Sequence, residues 1–286
     1  MVETRNNDVL NKHPSTLIVG YGVVGKHIGK YFTEADWIDE LGVFRKVKGD
    51  VETKPLSSYK IGFISVPTPM LPSGQCDTSI LEDAIKKYAS RVNYWCSKST
   101  VEVGTTDRLA KKYGLKMCMS PEYLGETLGH PLVEAIRDPF VILGGEPETT
   151  RAFADAWTTV TNSYAQIYQV SAKTAELCKL MENSFIATKV MFCNEFYGLA
   201  QEVGVDYNVL REVFLLDPRV GRSHTYVFEN NRGFSGKCLP KDINNLVWFY
   251  KNKGGEEAKL MKFLLEYNAD MRKGTETSVP LLGEDI

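Results

Sequence analysis

The chain has 286 residues, a formal net charge of −2 at pH 7, 43% hydrophobic residues and 24% charged ones. This composition describes a globular protein with a substantial core, in one large domain or two ordinary ones. The near-neutral balance excludes a polyanion-binding surface built on net charge, so no nucleic-acid partner is expected.

No apolar run approaches the ~20 residues needed to span a bilayer. The polar start MVETRNNDVLNKHPS lacks the apolar core of a signal peptide. No membrane partner is expected, and a cytoplasmic location is. The 6 cysteines form no CxxC pair and the 4 histidines are scattered, so free thiols are expected and no metal site.

From residue 16 onward, short apolar runs alternate with amphipathic ones. The strand candidates are 16–20, 41–45, 61–66, 94–97, 115–119, 140–143 and 165–170. Between them, TSILEDAIKKYA and ETTRAFADAWTTV read as helices. Strands alternating with helices predict an α/β fold with a doubly wound, mostly parallel sheet of the Rossmann type. The connection KGDVETKPLSSY leaves little room for a crossover helix.

After Ser171 the strands stop. AKTAELCKLMENSFIATKVMFCNEFYGLAQEVG predicts one long helix, apolar on more than one face and therefore covered on several sides. Helices follow at 207–216, 241–252 and within EEAKLMKFLLEYNADMRK. The predicted organisation is a nucleotide-binding domain at 1–171, an all-helical domain at 172–273 and a loose tail at 274–286.

Three stretches carry chemistry. STLIVGYGVVGKHIGKYF holds Gly20, Gly22 and Gly25 in G-x-G-x-x-G spacing, after a strand and at the opening of a helix. Such glycines make a tight turn, let the backbone approach a pyrophosphate and leave a helix N-terminus to stabilise it. The alternative is a glycine turn in a protein that binds something else. An acidic residue about 20 positions on is expected to hold the ribose 2′-hydroxyl of NAD. With the second strand ending in GVFRK, Arg45 takes about that place, which leaves NAD and NADP both open.

Lys179 and Asn183 lie four residues apart on the long helix and share a face. They either serve a pocket or mark the solvent side. In RGFSGKCLPKDINNL, Cys238 stands among Gly233, Gly236, Arg232, Lys237, Lys241 and Asp242, outside any apolar run. Positive neighbours favour a thiolate. From these residues alone, a reactive thiol and a structural one are both open.

Taken in order, GYGVVG, SVPTP, CSKSTVEVGTT, SPEYLGE, TAELCKLMENSFIATKVMFCNE, DPRVG and GFSGKCLPKD closely resemble the UDP-glucose/GDP-mannose dehydrogenase family, over about residues 16–250. The resemblance implies a four-electron oxidation of a nucleotide sugar's C6 alcohol to a carboxylate, with two NAD and one water. Cys238 would be the nucleophile, and Lys179 and Asn183 would stabilise the oxyanion on C6. Asp242 and Thr100 would hold the water, and Glu122 would be the general base.

Thr68, Val24, Thr100, Glu126 and Lys241 match cofactor contacts, beside Gly20, Gly22, Gly25 and Arg45. Glu122, Tyr123, Leu124, Glu126, Lys179, Asn183, Phe234 and Ser235 match the sugar's surroundings. Arg219 matches an arginine that reaches the neighbouring subunit of a homodimer built on the long helix.

The sequence departs from the family pattern in three ways. Ser235 replaces a usual glycine, no acidic ribose-binding residue is evident, and the sequence stops at 286, short of a usual third domain that closes over UDP. The resemblance therefore implies a short form, with UDP-glucose as first substrate and GDP-mannose or a UDP-N-acetylhexosamine as alternatives. A non-catalytic nucleotide-binding subunit is a further alternative. A β-hydroxyacid dehydrogenase would share the layout but has no use for a nucleophilic cysteine.

Overall fold

The computed structural model describes residues 14–38, 45–46, 55–124, 140–161 and 165–273. They form two compact units. The first takes the described chain up to Thr68, then Thr78–Glu122, and the stretch that ends at Glu176. The second takes Pro69–Asp77, Tyr123 and Leu124, and the chain from Leu177 onward.

The first unit is an eight-stranded sheet: β1 (Thr16–Val19), β2 (Asp36–Ile38), β3 (Arg45–Lys46), β4 (Tyr59–Ile64), β5 (Val92–Ser97), β6 (Met117–Met119), β7 (Phe140–Gly145) and β8 (Gln166–Val170). The order is β3-β2-β1-β4-β5-β6-β7-β8. Only the β2–β3 and β6–β7 pairs are antiparallel. Helices α1 (Val23–Tyr31), α2 (Ser79–Tyr88), α3 (Thr105–Tyr113) and α4 (Pro147–Val160) accompany it. This is the doubly wound, mostly parallel sheet that the alternation predicts.

Successive strand residues point to opposite faces, and both faces of this sheet are covered. Leu17 and Val19 enter one core with Leu81, Ile85 and Leu109 of α2 and α3. Ile18, between them, enters the other with Ile28, Phe153 and Trp157 of α1 and α4. Burial on both sides explains why these strands read as continuous apolar runs rather than alternating ones.

One strand is displaced from its expected place. The second parallel strand is Asp36–Ile38, not 41–45, and Ile38 pairs with Arg45 across the antiparallel edge strand β3. An aspartate is a poor strand residue; here Asp36 opens the strand and its carboxylate accepts the Tyr59 hydroxyl at 2.5 Å. The segment 41–44 lies outside the described residues.

The second unit contains most of α5 (Ala172–Glu202), with α6 (Tyr207–Phe214), α7 (Leu239–Asn252) and α8 (Lys259–Met271). Ala187 and Met191 of α5 pack on Phe234, Ile243 and Leu264. The opposite side of α5 exposes Leu177, Met181, Phe185, Phe192, Phe196 and Leu199. Its own chain therefore covers the long helix at two clusters, the second formed by Cys193 and Ala200 with Tyr207 of α6, and leaves this stripe open. No helix among the described residues is long and apolar enough to cross a membrane. The expected tail at 274–286 lies outside the described residues.

Candidate active site

Strand order reverses at β1, which lies between β2 and β4. In open parallel sheets, ligands bind beyond the carboxyl ends of the strands at such a point. The glycine turn stands there. Gly20 has φ +87° and donates its N–H to the Ile38 carbonyl at 2.8 Å. A side chain on it would meet the Ser65 carbonyl oxygen at 2.6 Å. Gly25 is closed off in the same way, because a Cβ there would run into the Gly20 carbonyl.

Gly22 differs. It precedes α1, it makes no side-chain cap, and a Cβ on it would meet nothing within 4 Å. Open space beside uncapped helix N–H groups fits a dinucleotide's pyrophosphate. Val24, half-buried at the second position of α1, packs toward the sheet core.

The neighbouring strand ends are pinned together. Thr68 is buried and its hydroxyl donates to the Thr100 carbonyl at 2.7 Å, and Ser99 donates to the Val66 carbonyl at 2.6 Å. Further along the Thr100 loop, Gly104 and Thr106 give their N–H groups to the Glu176 carboxylate at 2.6 and 2.8 Å. Burial pushes the Glu176 carboxyl above its ordinary value, against these hydrogen bonds. Glu122 follows β6 and pairs with Lys98, which follows β5, at 3.3 Å. Sequence reading did not single out Lys98.

In the second unit, Cys238 is half-buried at the N-terminus of α7, where a helix end favours a thiolate. Asp242, four residues on, is 1% exposed. It accepts from Asn183 Nδ2 at 2.5 Å and from Lys241 Nζ at 2.6 Å. The Lys241 ammonium also lies 3.8 Å from Cys76 Sγ. Burial works against its charge, but Asp242, Cys76 and Cys238 outweigh that and hold its pKa above the ordinary value.

Lys179 is not on a solvent face. Its side chain is 11% exposed, 3.3 Å from Glu182 and 4.9 Å from the centre of the Tyr123 ring. The Tyr123 hydroxyl lies 3.9 Å from Cys178 Sγ. Leu124 is half-buried beside it in the chain.

The loop before Cys238 is held by two asparagines that sequence reading did not single out. Asn194 accepts from Arg232 Nε at 2.7 Å and from the Gly233 N–H at 3.1 Å. Asn268 accepts the Phe234 N–H at 2.7 Å and donates to the Phe234 carbonyl at 3.0 Å. The Phe234 ring is buried in the helical core. The ring and the backbone of Phe234 thus anchor the loop. Ser235, the next residue, is half-buried.

Arg219 is 87% exposed at its side chain and bonded to Asp217 at 2.6 Å. Lys189 of α5 holds its loop by the carbonyls of Val220 and Gly221, at 3.0 and 2.7 Å. Glu126 lies outside the described residues. Arg45 stands on the antiparallel edge strand, not at the end of the second parallel one. In the sequence, the two residues after Ile38 are Asp39 and Glu40, both acidic. The misplaced strand hid them.

The first unit thus carries a glycine turn at a sheet switch point, and the second a thiol beside a buried Asp-Asn-Lys set. The chain belongs to the UDP-glucose/GDP-mannose dehydrogenase family: residues 42–168 match its NAD binding domain and residues 173–270 its central domain. The cofactor is NAD.

Among relatives, the UDP-glucose 6-dehydrogenase of Rickettsia bellii is 29% identical over 91% of this chain and 59% of its own length. The UDP-N-acetyl-D-mannosamine dehydrogenase of Methanocaldococcus jannaschii is 30% identical over 77% of this chain and 51% of its own. The chain thus spans about half the length of the curated relatives it matches. A UDP-glucose dehydrogenase structure from Pyrobaculum islandicum shares the fold, with TM-score 0.75 at 23% identity over 95% of this chain and 71% of that one.

The two outer glycines of the turn should be separable from the middle one. Gly22→Ala should fold with an unchanged melting temperature, because its Cβ meets nothing, yet lose NAD affinity in a titration by roughly tenfold or more. Gly20→Ala should melt lower by several degrees, from φ strain and the Ser65 clash. Equal effects of both on folding would contradict this reading of the turn.

Proposed function

We propose that the protein oxidises the C6 alcohol of a nucleotide sugar to a carboxylate, converting UDP-glucose to UDP-glucuronate. The observation that carries this reading is Cys238 capping the N-terminus of α7, four residues before an Asp242 held by Asn183 and Lys241. A simple alcohol dehydrogenase has no need of a thiol there.

NAD supplies the hydride acceptor, used twice. Glu122 acts as general base for the C6 hydroxyl. Cys238 adds to the resulting aldehyde as a thiohemiacetal, and its oxidation leaves a thioester on sulfur, so no aldehyde leaves the site. Lys179 and Asn183 stabilise negative charge on the C6 oxygen through both stages. Asp242 and Thr100 hold the water that hydrolyses the thioester, which releases the acid and returns the thiol.

Tyr123, Leu124, Ser235 and Glu126 surround the sugar in this reading, and Thr68, Val24 and Lys241 serve the cofactor side. UDP-N-acetylmannosamine is the second substrate reading, favoured by the Methanocaldococcus jannaschii relative at 30% identity. GDP-mannose has the family name alone behind it. A non-catalytic subunit would have no reason to keep the Asp242 set intact. A nucleophile that must stay a thiol suits a reducing compartment, so we place the protein in the cytoplasm.

Cys238→Ser should fold and bind NAD but fail to complete the four-electron cycle, because serine is a poor nucleophile at neutral pH. Turnover of UDP-glucose to the glucuronate near the wild-type rate would remove the covalent mechanism.

Asp39 is proposed to hold the ribose 2′-hydroxyl, about 20 positions after the first glycine. Asp39→Asn should lower kcat/KM with NAD by roughly tenfold while changing the NADP value little or upward. An unchanged NAD value would return the position to Arg45 or another residue.

The exposed stripe on α5 includes Met181 at 73% and Phe185 at 66%, the kind of apolar patch that marks an interaction surface. A second copy of the chain is the proposed occupant, which would bring Arg219 to the partner's sugar site. Sedimentation should show a dimer at micromolar concentration, and Phe185→Glu should give monomers. A well-folded wild-type monomer would refute the pairing.

A further inference from the structure

Lys98 is 9% exposed and has no part in the reaction as drawn above. A buried ammonium is costly unless each of its donors is met. Its Nζ lies 3.3 Å from Ser120 Oγ, 3.1 Å from the Pro121 carbonyl and 3.3 Å from Glu122 Oε2. These acceptors belong to three consecutive residues, so one cation grips the whole Ser-Pro-Glu turn. Lys98 follows β5 and the turn follows β6, its parallel neighbour, with the Ser120 N–H donating to the Ser97 carbonyl at 2.9 Å.

The placement is at the carboxyl end of the sheet, on the ligand side. The Glu122 side chain is 14% exposed there. A lysine kept only to close the fold could be replaced by an apolar side chain at little cost. A lysine set against a carboxylate that must face a substrate could not.

We infer that Lys98 is the positioning residue for Glu122: its ammonium holds the Ser120 hydroxyl and the Pro121 carbonyl and aims the carboxylate. The inference rests on the reading of Glu122 as general base. Lys98 acts on the substrate only through Glu122, so its loss should cost turnover and leave substrate affinity alone.

The test is a double-mutant cycle on the full chain. Glu122→Gln should lower kcat by roughly a hundredfold or more, as expected for a lost general base. Lys98→Met should lower kcat by roughly tenfold to a hundredfold, with KM within about threefold. Lys98→Met added to Glu122→Gln should change nothing further, because the two act as one unit. Losses that multiply would overturn the proposal, as would wild-type kcat in Lys98→Met.

Lys98→Gln keeps donors for Ser120 and Pro121 without the charge, and covers the case in which the methionine variant does not fold. It too should lose kcat; full activity there would contradict a role for the cation. A readout without turnover separates this inference from the proposed function. Carbodiimide-driven amine labelling of Glu122, followed by mass spectrometry of its peptide, should be several-fold faster in Lys98→Gln than in wild type. If labelling rises while the wild type oxidises no nucleotide sugar, the base reading fails and the clamp stands. Equal labelling overturns the clamp.

Discussion

A carboxylate inside a protein must be met by donors, and much of the second unit follows from meeting one. Asp242 is 1% exposed, and its two oxygens take an amide N–H from Asn183 and an ammonium N–H from Lys241. Truncating a partner of such a group leaves an uncompensated buried charge, which typically costs about 3–5 kcal/mol. The arrangement therefore locks α7 to α5 at one register. Since Cys238 sits at the N-terminus of α7, fixing that register also fixes the thiol.

The same economy of polar groups appears around it. Asn194 and Asn268 use both ends of their side chains or several partners to hold the loop at 232–234. The hairpin at Pro69–Asp77 leans on α7 through the Cys76 N–H to Asn245 Oδ1, at 3.3 Å, and brings Cys76 to Lys241. In the first unit, Glu176 holds the α3 N-terminus and Lys98 holds the Ser-Pro-Glu turn. Each of these is a buried polar side chain that fixes a backbone segment, and each segment carries or adjoins a residue with a proposed role in the chemistry. Preorganised donors of this kind are what electrostatic catalysis requires.

Features governed by local chemistry could be read from the amino-acid sequence. The glycine turn was legible because tight turns demand those residues at that spacing, and the long helix because nothing interrupts its pattern over Ala172–Glu202. The Cys238–Asp242 relation was legible because i and i+4 share a helix face. The three-residue strand Asp36–Ile38 was not, since the apolar run GVF a few residues later gives a stronger pattern than DWI. That one shift moved Arg45 into the ribose position and hid Asp39. Contacts across long sequence separations were equally invisible: Asn268 meets Phe234, and Lys98 meets a turn more than 20 residues on. A lysine in CSKSTVEVGTT looks like a solvated charge until the strand order brings Glu122 beside it.

The central proposal is that the protein carries an alcohol through two oxidations without releasing the aldehyde, and product stoichiometry measures that most directly. With limiting UDP-glucose, excess NAD and a hydrazine trap for free aldehyde, the account predicts two NADH for each UDP-glucuronate and no trapped aldehyde. One NADH for each sugar consumed, with the aldehyde recovered as its hydrazone, would contradict it.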